Sequence, residues 1–165
     1  MKPSKTFFQL AMFLPLIVIQ SCSPSSNKDS NSTQQNDLPQ MIVTNLDGSQ
    51  VNMRELKGKA ILILFQTDCD HCQREATAIQ ENISAFKAYS LYFITTVSQQ
   101  EIEKFANNYR LADQPNVHFC QSTNQSILDN FGPIDAPSLY IFSQDRKLIK
   151  AFNGETQINE ILKYI

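Results

Sequence analysis

The chain has 165 residues, with 14 Lys and Arg against 16 Asp and Glu, a net charge of −2, four glycines, four cysteines and no tryptophan. Its Lys and Arg are scattered rather than gathered in a stripe, which argues against nucleic-acid binding. Four glycines are too few for a nucleotide fingerprint or a phosphate-cradling loop.

Residues 1–21 read as a signal peptide: Lys2 and Lys5 precede an apolar run over 7–19 that is interrupted by Gln9 and Pro15. The run is too short for an ordinary transmembrane helix. It ends in Ile19-Gln20-Ser21-Cys22, which resembles the lipobox of bacterial lipoproteins. The resemblance implies that Cys22 becomes N-terminal and lipid-modified, anchoring the protein to a membrane facing the periplasm or the exterior; disulfides persist there. Residues 22–40 are Ser, Asn, Gln, Asp and Pro with almost nothing to bury, so a disordered tether is expected.

Residues 41–165 suffice for one compact domain. Strand-like residues 41–44 and 50–53 flank Asp47-Gly48, the signal of a hairpin. One helical turn is expected at 54–56, then a strand buried on both faces at 60–65. Ala76, Ile79, Ile83 and Phe86 recur on one face, predicting a long helix that ends near residue 88. A second buried strand follows at 91–97, and Ser98 with Glu101 forms a capping box for a helix carrying Ile102, Phe105, Ala106 and Tyr109. A strand at 116–120, a short helix at 125–130, a strand pair at 138–142 and 147–152, and a helix bearing Ile158, Ile161, Leu162 and Ile165 complete the chain. This order predicts an α/β sandwich with a mixed central sheet flanked by helices and an N-terminal β-hairpin.

Where the first buried strand gives way to the long helix stands Cys69-Asp70-His71-Cys72. The free N–H groups of a helix's first turn stabilise a thiolate, which is the species that attacks a disulfide. A second cysteine three positions on can reach back and resolve the mixed disulfide. A structural disulfide or a metal clip is the alternative, but a zinc site needs a second Cys/His pair at ligand spacing, and the sequence has none. His71, if protonated, stabilises the thiolate, whereas Asp68 and Asp70 oppose it; the other reading of His71 is a solvated residue at a helix start.

The order of elements and the CxxC together resemble the thioredoxin-like three-layer sandwich. The nearer likeness is to membrane-anchored, extracytoplasmic thiol-disulfide oxidoreductases of the TlpA/ResA type, within the AhpC/TSA-redoxin superfamily. It rests on Leu46-Asp47-Gly48, Leu56-Lys57-Gly58-Lys59, the CxxC, Glu75 three residues beyond Cys72, and Ile134-Asp135-Ala136-Pro137-Ser138-Leu139. Departures are Gln66 and Asp68 where an aromatic pair is usual, and Thr77 in place of a helix-kinking proline. The resemblance implies Cys69 as the exposed nucleophile, Cys72 as the buried resolving thiol and Glu75 as a proton relay. It also implies a cis bond before Pro137, with the Ala136 backbone open to pairing with an extended substrate.

The expected function is reduction of protein disulfides through Cys69 and Cys72 by a monomer without organic cofactor. Client proteins with disulfides and a thiol electron donor in the membrane are the expected partners. One rival is a copper(I) chaperone that joins His118 and Cys120 to the CxxC, although Cys120 reads first as a small apolar side chain ending a buried strand. A second rival is a peroxiredoxin-type peroxidase, whose Pro-x-x-x-Thr-x-x-Cys pattern is absent: Thr67 is two residues before Cys69, and no proline precedes it. Replacing Cys22 by Ala is expected to abolish incorporation of labelled lipid; label persisting on the variant contradicts the lipobox.

Overall fold

The computed structural model describes Met1 and residues 38–165. The expected signal peptide, Cys22 and the tether up to residue 37 lie outside the described residues. Packing begins before residue 41: Leu38 is wholly buried, and its N–H donates to the Arg146 carbonyl at 3.2 Å.

Seven strands form one sheet: β1 (Ile42–Asn45), β2 (Gln50–Asn52), β3 (Lys59–Leu64), β4 (Tyr89–Thr95), β5 (Val117–Gln121), β6 (Ser138–Phe142) and β7 (Leu148–Asn153). Their spatial order is β2-β1-β5-β4-β3-β6-β7. Only the central three, β5, β4 and β3, run parallel; the hairpin β1–β2 is added antiparallel to β5, and β6–β7 antiparallel to β3. The expected mixed sheet and N-terminal hairpin are both present. In the hairpin, Gly48 takes the left-handed conformation (φ 84°), and the Asp47 carboxylate accepts from the Ser49 N–H at 2.8 Å.

Helices α1 (Asp70–Glu81), α2 (Gln99–Asn108), α3 (Asn124–Phe131) and α4 (Ile158–Ile161) complete the sandwich. Strict alternation in the strands divides the interior in two. Ile61 and Ile63 of β3 face a core with Cys72, Ala76 and Ile79 of α1, Ile102 and Phe105 of α2, and Ile161 of α4. Leu62 and Leu64 face the other core, with Leu38, Met53, Cys120 and Ile127 of α3. Each of these buried aliphatic side chains contributes about 1.5–3 kcal/mol, so β3 is the strand on which both layers depend.

Two helices are shorter than the apolar spacing predicts. α1 stops at Glu81 because the Asn82 side chain donates to the Ala78 carbonyl at 2.9 Å and its backbone N–H tightens onto Ile79. Phe86 still reaches the core, from a separate 3-10 turn, Ile83–Phe86. After α4, which has no side-chain cap, the chain tightens into a 3-10 turn, Leu162–Tyr164. The capping box is as expected: Ser98 Oγ accepts from the Glu101 N–H, and Glu101 Oε2 accepts from the Ser98 N–H at 3.1 Å. Ser98→Ala is therefore expected to lower stability by about 1 kcal/mol with an unchanged denaturant slope, read from the unfolding midpoint; an unmoved midpoint would deny the cap its role.

Candidate active site

The CxxC is positioned from below by Phe65. This residue follows β3, and its N–H donates to the Ile94 carbonyl at 3.1 Å. Its ring meets those of Phe93, Phe105 and Phe119 at centroid distances of 5.7, 4.7 and 6.1 Å. The loop above is tied to α1 by Gln73, whose Nε2 donates to the Thr67 carbonyl at 3.0 Å. These contacts fix where the chain turns from strand to helix.

Cys69 is the N-cap of α1. Its Sγ accepts from the Cys72 N–H at 3.3 Å and its thiol donates to the Ala136 carbonyl at 3.6 Å. The sulfur is thus half-buried between one of the free donors of the helix start and the loop before β6. Cys72 lies one turn in and is only 3 % exposed, and burial, with the nearby Cys69, pushes its thiol up to about 12. Both cysteines are free thiols. The Ala136–Pro137 bond is cis. Beside Ala136 a groove of about 260 Å³ opens, lined by Gln66, Ile127, Leu128, Pro133 and Ile134 among others.

Glu75 follows on the inner face of α1 and is 3 % exposed. Its Oε2 accepts from the Thr156 N–H at 3.1 Å, while Oε1 has no hydrogen-bond partner among the described residues. Burial raises its carboxyl to about 7; the Thr156 N–H opposes that shift and the charge of Glu155 adds to it. Glu75 also contributes to the raised affinity of Cys72 for its proton. The two groups therefore sense each other within one turn of helix.

Asp68, Asp70 and His71 are exposed around the thiols. His71 Nδ1 lies 2.5 Å from Glu155 Oε2 and 2.7 Å from Arg74 Nη2. Arg74 is already committed to Glu155, with Nε 2.7 Å from Oε1 and Nη2 2.7 Å from Oε2. One carboxylate thus meets both the Arg74 guanidinium and the His71 ring. Arg74 and then His71 hold Glu155 down to about 2.

The loop after β7 was missing from the sequence reading. Gly154 N–H donates to the Pro137 carbonyl at 2.8 Å, Glu155 binds Arg74 and His71, and Thr156 N–H binds Glu75. Three consecutive residues thus touch three parts of the site, and no local pattern in Asn153-Gly154-Glu155-Thr156 signals it. The chaperone arrangement joining His118 and Cys120 to the CxxC is corrected by the sheet. Cys120 belongs to the core on the opposite face from Cys72, donating to Asn45 Oδ1 at 3.0 Å, and His118 stacks on Tyr92 at 4.6 Å. Among the described residues no three His, Cys, Asp or Glu side chains gather as a metal site.

Known proteins share this frame. The thiol-disulfide oxidoreductase ResA of Bacillus thuringiensis (strain Al Hakam) is 23 % identical over 131 residues, covering 77 % of this chain and 73 % of that protein. A secreted Mycobacterium tuberculosis disulfide oxidoreductase homologous to E. coli DsbE superposes with a TM-score of 0.65 at 18 % identity, covering 76 % of this chain and 93 % of the other. StoA from Bacillus subtilis gives 0.59 at 15 % identity, over 75 % and 94 %. The thioredoxin-like fold expected from the order of elements is thereby borne out, as is the resemblance to ResA-type proteins. With the AhpC/TSA pattern matched over residues 35–151, the chain belongs to the AhpC/TSA family.

Proposed function

We propose that the protein is an extracytoplasmic thiol-disulfide oxidoreductase that reduces protein disulfides through Cys69 and Cys72. The observation that carries this is the pairing of a half-exposed thiol at a helix start with a buried thiol one turn on, backed by a buried acid on the same helix. The names of the relatives, ResA among them, support the same chemistry.

Cys69, as thiolate, attacks one sulfur of a client disulfide; that S–S bond breaks, a mixed disulfide forms, and the departing client sulfur takes up a proton. Cys72 then attacks Cys69 Sγ, the second client sulfur leaves as a thiol, and the Cys69–Cys72 disulfide remains. The client gains two electrons and two protons, and a thiol donor in the membrane restores the dithiol. Burial keeps Cys72 protonated until this second step, so it needs a base beside it. Glu75, titrating about 7, is matched to neutral pH and accepts that proton.

The anchor follows from Cys22. Leu38 joins the fold at the β6–β7 turn, and β6 runs antiparallel to β3 with Phe142 opposite Ala60. The chain therefore enters at the end of the sheet opposite the CxxC. A lipid on Cys22 holds the protein at a membrane surface.

Cys72→Ser, which keeps the attacking thiol and removes the resolver, is expected to accumulate mixed disulfides with clients, whereas Cys69→Ser traps little. Non-reducing electrophoresis distinguishes them, and equal trapping by both contradicts the assigned roles. Insulin reduction by the wild-type protein tests the activity itself.

Glu75→Gln is expected to slow exchange by roughly a hundredfold near neutral pH and to flatten the pH–rate profile. Its effect on stability has a sign set by the raised carboxyl. Below the ordinary value of 4.5 the group is protonated folded and unfolded alike; above about 7 the folded state alone bears the burden of a buried charge. The variant should therefore gain about 3 kcal/mol on the wild type between about pH 4 and pH 8, measured by denaturation at both ends. A constant difference across that range contradicts a buried, ionising Glu75.

A further inference from the structure

Arg74 and Glu155 belong to no step of the exchange, yet they make the tightest polar cluster beside the thiols. Arg74 lies on the outer face of α1, five residues from Cys69, and its guanidinium meets both oxygens of Glu155 at 2.7 Å. His71, two residues from Cys69, turns Nδ1 to the same carboxylate at 2.5 Å. Glu155 is the least exposed of the three, at 26 % against 62 % for His71 and 55 % for Arg74. The carboxylate thus holds the two side chains, rather than being drawn out to solvent by them.

We propose that Glu155 is a positioning residue that captures the Arg74 and His71 side chains and so limits how strongly they stabilise a thiolate at Cys69. The inference rests on the assignment of Cys69 as the attacking thiol. A bidentate Arg–carboxylate pair is fixed in direction as well as in charge. Without Glu155 the guanidinium on α1 presents an uncompensated positive charge to the helix start, and Arg74 already senses the charge of Cys69. His71 loses the acceptor that turns its ring outward.

The other charged and titratable groups around Cys69 are Asp68 and Asp70 on its own segment, Cys72 and Glu75 on the inner side of α1, and Asp135 on the loop beside Ala136. None of them is hydrogen-bonded to Arg74 or His71 among the described residues, although the charge of Glu155 also reaches Glu75 and that of Asp70 reaches Arg74. The same loop carries Thr156, whose N–H reaches Glu75. A purely structural role for Glu155 would therefore be felt at Glu75 and in stability, not as an acid shift of Cys69.

The test is the thiolate absorbance of the reduced full chain against pH, with its disulfide equilibrium against glutathione. Glu155→Gln keeps an acceptor for Arg74 but removes the charge. It should give about threefold more Cys69 thiolate at neutral pH and shift the glutathione equilibrium by a similar factor toward the dithiol, making the protein more oxidising. Arg74→Gln, which leaves the carboxylate uncompensated, should move both readings the opposite way, and Glu155→Asp should restore the wild-type titration. A Glu155→Gln titration that superimposes on the wild type, or moves toward higher pH, overturns the inference, as does a Glu155→Asp variant that behaves like the Gln one. Insulin reduction by the wild type is scored alongside: its absence contradicts the proposed function, while the titration alone decides the role of Glu155.

Discussion

A carboxyl group enclosed among apolar side chains resists ionisation, and the site depends on that resistance at Glu75. Ala76 and Ile79 on the same helix are buried in the core, so the inner face of α1 that carries Cys72 is dry. Among the described residues a single N–H, that of Thr156, reaches the acid, and its other oxygen is left without a partner. One donor is too little to hold a buried carboxylate ionised at its ordinary value, which is how the group comes to titrate about 7. An acid so placed lies on the same face of α1 as Cys72 and acts on its thiol through space.

The two sulfurs owe their different characters to one geometric fact, the start of α1 between them. Cys69 caps the helix, and its sulfur points at the donors of the first turn; Cys72 is inside the turn, facing the core. The residues that refine this arrangement arrive from far along the chain. Gly154, Glu155 and Thr156 bond respectively to the Pro137 loop, to the outer face of α1 and to the acid on its inner face. The short loop after β7 therefore joins the helix carrying the thiols, the buried acid Glu75 and the loop before β6 into one unit.

Much of this was legible in the sequence, for physical reasons that differ by element. The apolar run of β3 reads as a strand buried on both faces because it is one, supporting both cores. Ser98 with Glu101 marks a helix start because the two side chains satisfy each other's backbone donors. The length of α1 was not legible: Ile83 and Phe86 keep helical spacing, yet Asn82 bonds to Ala78 and ends the helix. Burial of Leu38 depends on tertiary contact with the β6–β7 turn, which its polar neighbours in sequence do not suggest. The site was legible at the CxxC and Glu75, which stand within one stretch of chain, and at Ala136–Pro137, whose cis bond the family resemblance implied. Arg74, Glu155 and Thr156 were not, because their partners are 81 to 84 residues away or share no motif with them. His118 and Cys120 show the converse failure: adjacent chemistry in sequence, separated from the CxxC by the thickness of the sheet.

The central claim is that Glu75 is a buried acid poised near neutrality on the helix face that carries Cys72. Carbon-13 labelling of the Glu side chains, with the Glu75 carboxyl assigned by comparison with Glu75→Gln, reports that protonation directly in the reduced protein. A midpoint about 7 is expected. A midpoint at the ordinary value of 4.5 contradicts it and removes the ground for proposing Glu75 as a proton acceptor.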